Sequence, residues 1–459
     1  MPVTLKVPIA TAVVDDNPSC VVGAEFKDGA AIIRLDARRQ DHKTVLDLDK
    51  TPKVHWSKDT REYEAQELSS FPWPIRYQVI TADAWYEDDE GNRVHYSPPI
   101  LGLDPRAKVS DAVKRAAVLL TVIAAIGYRR VAWLLLELFR VSTSKSALAR
   151  WIKDVASELP SKDELVQLLD DDKPITEGHF DEIFPRGNGR GCVLVLKDEH
   201  GRIVVTQHVE SRDEEHVKPF LETIKDLGLR IKTFYIDTCN VYRKVIPIVF
   251  PEARIQLDNF HIIQNVWRHI WKFFVRRRRE VAARAEKVST PWYKARLKAL
   301  AGSLWKKRHL VFKAEKRMSD EEKAQLVEIC ESDAKVGRIR AFLCGVWRIF
   351  DDSGDEVEAR KALEALKREG YAEDSKHHEK ALNFLEDTFE QATTYLREEG
   401  VKRNSLAESG MRTLRRLEAE HDGFRTDDSR EDFLKIYQAV KYLRWSLHGP
   451  VPSRKAVPP

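Results

Sequence analysis

Three acidic residues stand where carboxylate chemistry is most economical. Asp181 lies inside the apolar run Gly178-His-Phe-Asp-Glu-Ile-Phe, Asp237 ends Phe234-Tyr-Ile ahead of Thr-Cys-Asn, and Glu408 lies in Asn404-Ser-Leu-Ala-Glu-Ser-Gly. A carboxylate among apolar neighbours is expensive to bury unless positive charge satisfies it. Several gathered together repel one another and hold their pKa values up, which a hard divalent cation with oxygen ligands relieves. The matching reaction is phosphodiester cleavage, where two metal ions about 4 Å apart activate the attacking oxygen and stabilise the leaving 3′ oxygen. In that scheme Asp181 bridges both ions, and Asp237 and Glu408 each complete one side. The expected cofactors are two Mg²⁺ (or Mn²⁺) ions per site, bound more weakly as pH falls, with no His or Lys base required.

Each residue also has a plainer reading. Asp181 points to solvent if the strand alternates that way, and its neighbour Glu182 faces the opposite side, so only one of the pair joins a site. Asp237 and Asp258 both precede helical segments, where an Asp caps a helix N-terminus; His261 follows Asp258 one helical step on. Ser405 and Glu408 match a capping box. What links the three is their order: one on a first strand, one ending a fourth, one on a late helix after a basic insertion.

The elements that must position them follow from periodicity. Residues 1–106 read as a small β-rich domain, with a hairpin tip at Asp88-Asp-Glu-Gly-Asn. Residues 107–172 turn helical, with helices expected at Asp111–Ile126, Tyr128–Phe139 and Ser146–Leu159 and Ser144 as a cap. That outline is a helix-turn-helix DNA-binding domain presenting Lys145, Arg150 and Lys153 to a major groove, or else a helical hairpin that merely packs. Residues 173–266 give strands and helices in the order βββαβαβα. This is the order of an RNase H-like mixed sheet, forming the first part of an α/β catalytic core whose last part is 401–448. Between them, 267–400 form an all-helical insertion, and residues 449–459 are a disordered tail.

The insertion concentrates charge. Between Trp271 and Arg317 it holds 16 Lys or Arg against 3 acidic residues, interleaved with aromatics that belong in a core. The run Arg276, Arg277, Arg278 and Arg279 and the cluster Lys306, Lys307 and Arg308 repel themselves unless a polyanion neutralises them, so double-stranded DNA is the natural partner. The net charge of +4 is uninformative by comparison. Five cysteines without a Cys-x-x-Cys pair give neither a disulfide framework nor zinc spacing and fit a reducing cytoplasm. No run is long enough to span a bilayer, so no membrane is expected.

From Ser110 to Leu443 the sequence resembles the DDE-type transposases of insertion sequences, and the ISL group above all. The resemblance rests on Phe180-Asp-Glu, on Tyr235-Ile-Asp followed by Tyr242, and on Phe250-Pro-Glu-Ala-Arg-Ile-Gln-Leu-Asp-Asn-Phe-His. It continues through Asn404-Ser-Leu-Ala-Glu, Arg415-Arg and Gly423-Phe-Arg. It implies that Asp181, Asp237 and Glu408 are catalytic metal ligands and that Asp258, His261 and Asn404 support the site. Arg412, Arg415 and Arg416 would be further DNA contacts. It further implies binding of element ends, strand cleavage and strand transfer into target DNA by a homodimer. Where relatives carry a cysteine-rich zinc-binding segment, this chain has the β-rich stretch. The alternatives are a silent, transposase-derived DNA-binding protein, another RNase H-like nuclease, and a helical scaffold with acidic caps.

Overall fold

The computed structural model describes residues 13, 18–27, 30–40, 48, 52–67, 74–96, 100, 103, 108–184, 191–403, 414–416, 419 and 426–445. The expected ligand Glu408, together with Asn404 and Arg412, lies outside them, as does the tail 449–459. The chain divides into two compact units, Met1–Asp172 with Pro185–Gly189 and Thr413–Pro459, and Lys173–Phe184 with Arg190–Arg412.

The first unit opens with a five-stranded sheet of β1 (Val21–Lys27), β2 (Ala30–Asp36), β3 (His55–Glu67), β4 (Ile75–Glu87) and β5 (Arg93–Tyr96), in the order β1-β2-β4-β3 with β5 also on β4. The hairpin between β4 and β5 pairs Tyr86 with Val94, where the sequence puts it. Ile33, Leu35, Ile75, Tyr77 and Val79 are buried in its core. Glu67 is buried as well, and its carboxylate accepts from the Tyr77 hydroxyl at 2.9 Å and from Ser110 Oγ at 2.6 Å. Ser110 is the N-cap of α1 (Asp111–Val122), so this one carboxylate ties the sheet to the helical segment that follows.

Helices α2 (Tyr128–Phe139), α3 (Lys145–Glu158) and α4 (Lys162–Asp172) complete the segment. Ser144 caps α3 by accepting from the Ala147 N–H, as expected. The first helix is shorter than its periodicity suggests and ends at Val122 instead of Ile126. Ala125 adopts the left-handed conformation (φ 51°), while the N–H groups of Ala124 and Ile126 fold back onto Leu119 and Leu120 carbonyls. Such a stop normally announces itself with glycine, and here alanine takes that place.

The second unit is a mixed α/β sheet in the order β10-β9-β6-β7-β8. Strands β6 (Glu177–Ile183), β7 (Cys192–Lys197) and β8 (Ile203–Val209) run antiparallel; β9 (Thr233–Ile236) and β10 (Arg254–Leu257) join β6 in parallel. Helices α5 (Glu214–Asp226) and α6 (Asn240–Val249) make the crossovers. Every residue of β7 is buried, so this interior strand is covered on both faces. Phe180 packs on Phe220 of α5 and Tyr242 of α6, which fixes the even-numbered side of β6 toward those helices and the odd-numbered side away from them.

Helix α7 (Asn259–Lys287) leaves β10 and starts the helical insertion, continued by α8 (Pro291–Lys306), α9 (Arg308–Phe312), α10 (Asp320–Ser332), α11 (Ala334–Trp347), α12 (Glu356–Arg368), α13 (Tyr371–Asp374), α14 (Lys376–Ala392) and α15 (Thr394–Arg397). The insertion closes back onto the sheet edge. Gln256 of β10 donates to the Ala392 carbonyl and accepts from the Tyr395 N–H, and Thr394 Oγ1 donates to the Ile255 carbonyl. The last described helix, α16 (Asp427–Tyr437), belongs to the first unit. It packs against α3, with Lys162–Glu431 and Lys435 to the Ala156 carbonyl as polar ties.

Candidate active site and basic surfaces

The β6–β9 register runs Glu177 with Thr233, Gly178 with Phe234 and His179 with Tyr235. Carried two residues further, it brings Asp181 level with Asp237 at the carboxyl edge of two parallel strands. Asp181 lies on the odd-numbered side, away from α5 and α6, and Asp237 directly follows Ile236, the last residue of β9. Open α/β sheets bind their ligands at this edge.

Asp237 is half-buried, and one of its oxygens accepts from the Cys239 N–H at 2.8 Å. It does not cap α6, whose N-cap is Cys239 with no side-chain bond. Burial first, then the charge of Glu182, holds its carboxyl above the usual range; the Cys239 N–H, His261 and Arg212 pull the other way. Asp258, by contrast, does cap a helix, accepting from the Phe260 N–H at 2.9 Å at the start of α7. His261, half-buried in the first turn of α7, is among the groups that pull the Asp237 carboxyl down.

Glu182 faces the α5–α6 side as strand alternation requires, but it is not a bystander. Its buried carboxylate accepts from the Tyr242 hydroxyl at 2.6 Å and is paired with Arg212, whose guanidinium also lies over the Phe184 ring. Its charge still reaches Asp237. No spacing rule pointed to Arg212, which sits in the loop between β8 and α5.

On the opposite side of β6 the second unexpected feature is a cation. Lys197 ends β7 opposite His179 and is fully buried. Burial lowers its pKa to about 8, against the pull of Asp198 and Asp181. His179 stacks on Tyr235 with ring centroids 4.4 Å apart, and its own pKa is pushed down by burial. The Tyr235 hydroxyl accepts from the Lys402 N–H at 2.8 Å, and Lys402 Nζ lies 3.2 Å from Glu177. Lys402 is thus fastened to the side of the sheet that carries Asp181. Among the described residues no group of three or more His, Cys, Asp or Glu is arranged to hold a metal ion.

The basic residues fall into distinct environments. Lys145, Arg150 and Lys153 are all exposed along α3. Four successive arginines cannot share a helix face, because each turns about 100° from the last. Arg276 bonds Glu280, Arg277 is held by Asp333 at 2.9 Å, and Arg278 lies over Trp305. Arg279 is exposed and has no carboxylate partner among the described residues. Lys306 is exposed too, whereas Lys307 pairs with Glu328 and Arg308 stacks on the same Trp305 ring as Arg278. Arg415 and Arg416 are exposed in the first unit, where Arg416 donates to the Ala124 carbonyl.

A family model described as Transposase, of the DDE-type ISL3 group, matches residues 179–429, just over half of the chain. The chain belongs to the ISL3 transposase family. The matched span begins on β6 and takes in Asp181, Asp237, Glu408 and the whole helical insertion of this transposase. Among solved structures it is similar to the Drosophila P element transposase strand transfer complex, at 12% identity and a TM-score of 0.37, over 72% of this chain and 92% of that one. No curated protein matches the sequence. No helix among the described residues is long and apolar enough to cross a membrane.

The Glu182–Arg212 pair of the transposase gives a stability prediction. Arg212→Met strands a carboxylate whose side chain is only 5% exposed, and should cost roughly 2 kcal/mol, less than a fully enclosed pair because the arginine is half in water. Adding Glu182→Gln should recover most of that loss in urea unfolding. A single variant as stable as the parent, or a double variant no better than the single, contradicts the assignment.

Proposed function

We propose that the chain is a DNA transposase that binds the ends of its element and carries out metal-dependent strand cleavage and strand transfer, with Asp181, Asp237 and Glu408 as the acidic triad. The observation that carries this reading is the anchoring of Lys402 by Tyr235 and Glu177. It starts the chain on the triad's side of the sheet only six residues before Glu408, a reach of at most about 20 Å when extended. The strand order, three antiparallel strands followed by two parallel ones through helical crossovers, supports an RNase H-like core.

The donor set fits a hard divalent cation. Asp237 is half-buried and feels the charge of Glu182, so its ionised form is under-compensated by protein groups alone, and all three proposed ligands offer oxygen. Bound there, Mg²⁺ or Mn²⁺ would supply Lewis-acid activation of the attacking oxygen and stabilisation of the leaving 3′ oxygen. The chain's own groups do the rest. The Cys239 N–H orients Asp237, the Asp258 cap fixes the first turn of α7 and with it His261, and buried Lys197 balances part of the charge of Asp181. Arg212 and Tyr242 hold Glu182 away from the ligands, so two carboxylates close in sequence take different tasks.

For DNA binding, α3 with Lys145, Arg150 and Lys153 fits the second helix of a helix-turn-helix. Of the two basic clusters singled out in the insertion, the charges available to phosphate are Arg279, Lys306 and, with weaker internal ties, Arg276. A homodimer follows from the two ends of an element.

Cleavage of DNA carrying the element's ends, measured with Mg²⁺ or Mn²⁺, tests the chemistry. Asp181→Asn, Asp237→Asn and Glu408→Gln should each lower cutting by at least about a thousandfold while binding stays near the parent's. Equal cutting by any of the three removes it from the triad, and loss of binding alone would describe a DNA-binding protein instead. The basic surface has its own test. Arg279→Ala and Lys306→Ala should each flatten the dependence of log K on log salt by about one unit, whereas Arg277→Ala should leave the slope unchanged and lower stability. An unchanged slope in the first two would move the phosphate contacts elsewhere.

A further inference from the structure

A cavity of about 620 Å³ opens beside the first two turns of α7. Phe260, Ile263, Gln264 and Trp267 form one wall at the i, i+3, i+4, i+7 spacing of a single helix face; His309, Phe312, Lys313, Lys316 and Arg317 line the cavity too, with Trp347, Asp351 and Arg403. Its size suits a small organic molecule. The chemistry of its lining is uncommon for a packing defect, because aromatic surface and cations alternate around it. Phe260 is 62% exposed although apolar. The Trp267 indole N–H is buried and has no acceptor among the described residues. Lys316 and Arg403 converge on Asp351, while Arg317 is exposed with no carboxylate partner among the described residues.

Aromatic faces that stack a base, next to cations that take a phosphate, are what single-stranded nucleic acid requires. The position matters as much as the lining. The wall begins at Phe260, two residues after the Asp258 cap, whose N–H donates to the carbonyl of Ile236 immediately before Asp237. We propose that this cavity receives one unpaired nucleotide of the DNA, its base against Phe260 and Trp267 and its phosphate on Arg317. The proposal rests on the reading of the chain as a DNA-processing transposase and adds a subsite that separates distorted or frayed DNA from a continuous duplex. Extrusion of a base costs least where it is already unpaired.

The test uses the full chain and fluorescein-labelled duplexes of one length, either blunt or with a three-nucleotide single-stranded overhang, in equilibrium anisotropy. The parent should bind the overhang duplex about tenfold more tightly than the blunt one. Phe260→Ala, at an exposed position that should not alter the melting temperature, and Arg317→Ala should each remove most of that preference; for Phe260→Ala, blunt-duplex binding should not change. Abasic overhang nucleotides should lose it too. No preference in the parent, or equal weakening of both duplexes by Phe260→Ala, overturns the proposal. Displacement of the overhang duplex by a free deoxynucleoside monophosphate at equal concentration would do the same, since it identifies a mononucleotide site. Failure to bind any DNA would sink the transposase reading as well, whereas cutting and binding without discrimination would sink the subsite alone.

Discussion

Negative charge confined at the carboxyl edge of two parallel strands is the constraint on which the rest of the second unit turns. Asp181, Glu182 and Asp237 come within two residues of one edge, and a low-dielectric sheet cannot hold three ionised carboxylates side by side without partners. The fold distributes the load. Glu182 is turned to the helical side, paired with Arg212 and hydrogen-bonded by the Tyr242 hydroxyl, and Asp181 has buried Lys197 in its field. Asp237 keeps a backbone N–H and the weaker influences of His261 and Arg212. The residue left least compensated is the one for which an added cation does the most.

That distribution explains why flanking features look costly in isolation. A fully buried lysine is a poor stabiliser, and burial drags its pKa down to about 8. Beside Asp181 it serves as a fixed countercharge that needs no diffusing ion. The insertion obeys a similar logic: Arg277 and Arg278 are spent on Asp333 and Trp305 to hold its helices together, and only the charges left over remain for a polyanion.

Much of this was legible in the sequence. Strands β7 and β8 and the helix between β9 and β10 follow directly from short apolar runs and turn residues, because burial on both faces leaves no room for polar alternation. The positions of Asp181 on its strand and of Asp237 just past its strand follow from the same pattern. Other features depend on tertiary neighbours and carry no local signal. The left-handed Ala125 that shortens α1 has no glycine to mark it. Lys197 looks like a strand end entering a polar turn, and only packing makes it buried. Arg212 reads as a loop residue until Glu182 is found opposite it. The four-arginine run reads as one patch in a linear sequence, but helical geometry sends its members to different partners. The third acidic residue, Glu408, lies outside the described residues, six positions beyond the anchored Lys402.

The proposed chemistry therefore turns on whether three distant segments share one metal site. Replacing Mg²⁺ by Fe²⁺ with ascorbate and peroxide, then mapping backbone scission on the full chain, reads this directly, because hydroxyl radicals cut only near the bound iron. Scission at three places, around residues 181, 237 and 408, all suppressed by excess Mg²⁺, is the predicted pattern. Cuts around 181 and 237 without any near 408, or cuts that Mg²⁺ does not suppress, would contradict the shared site.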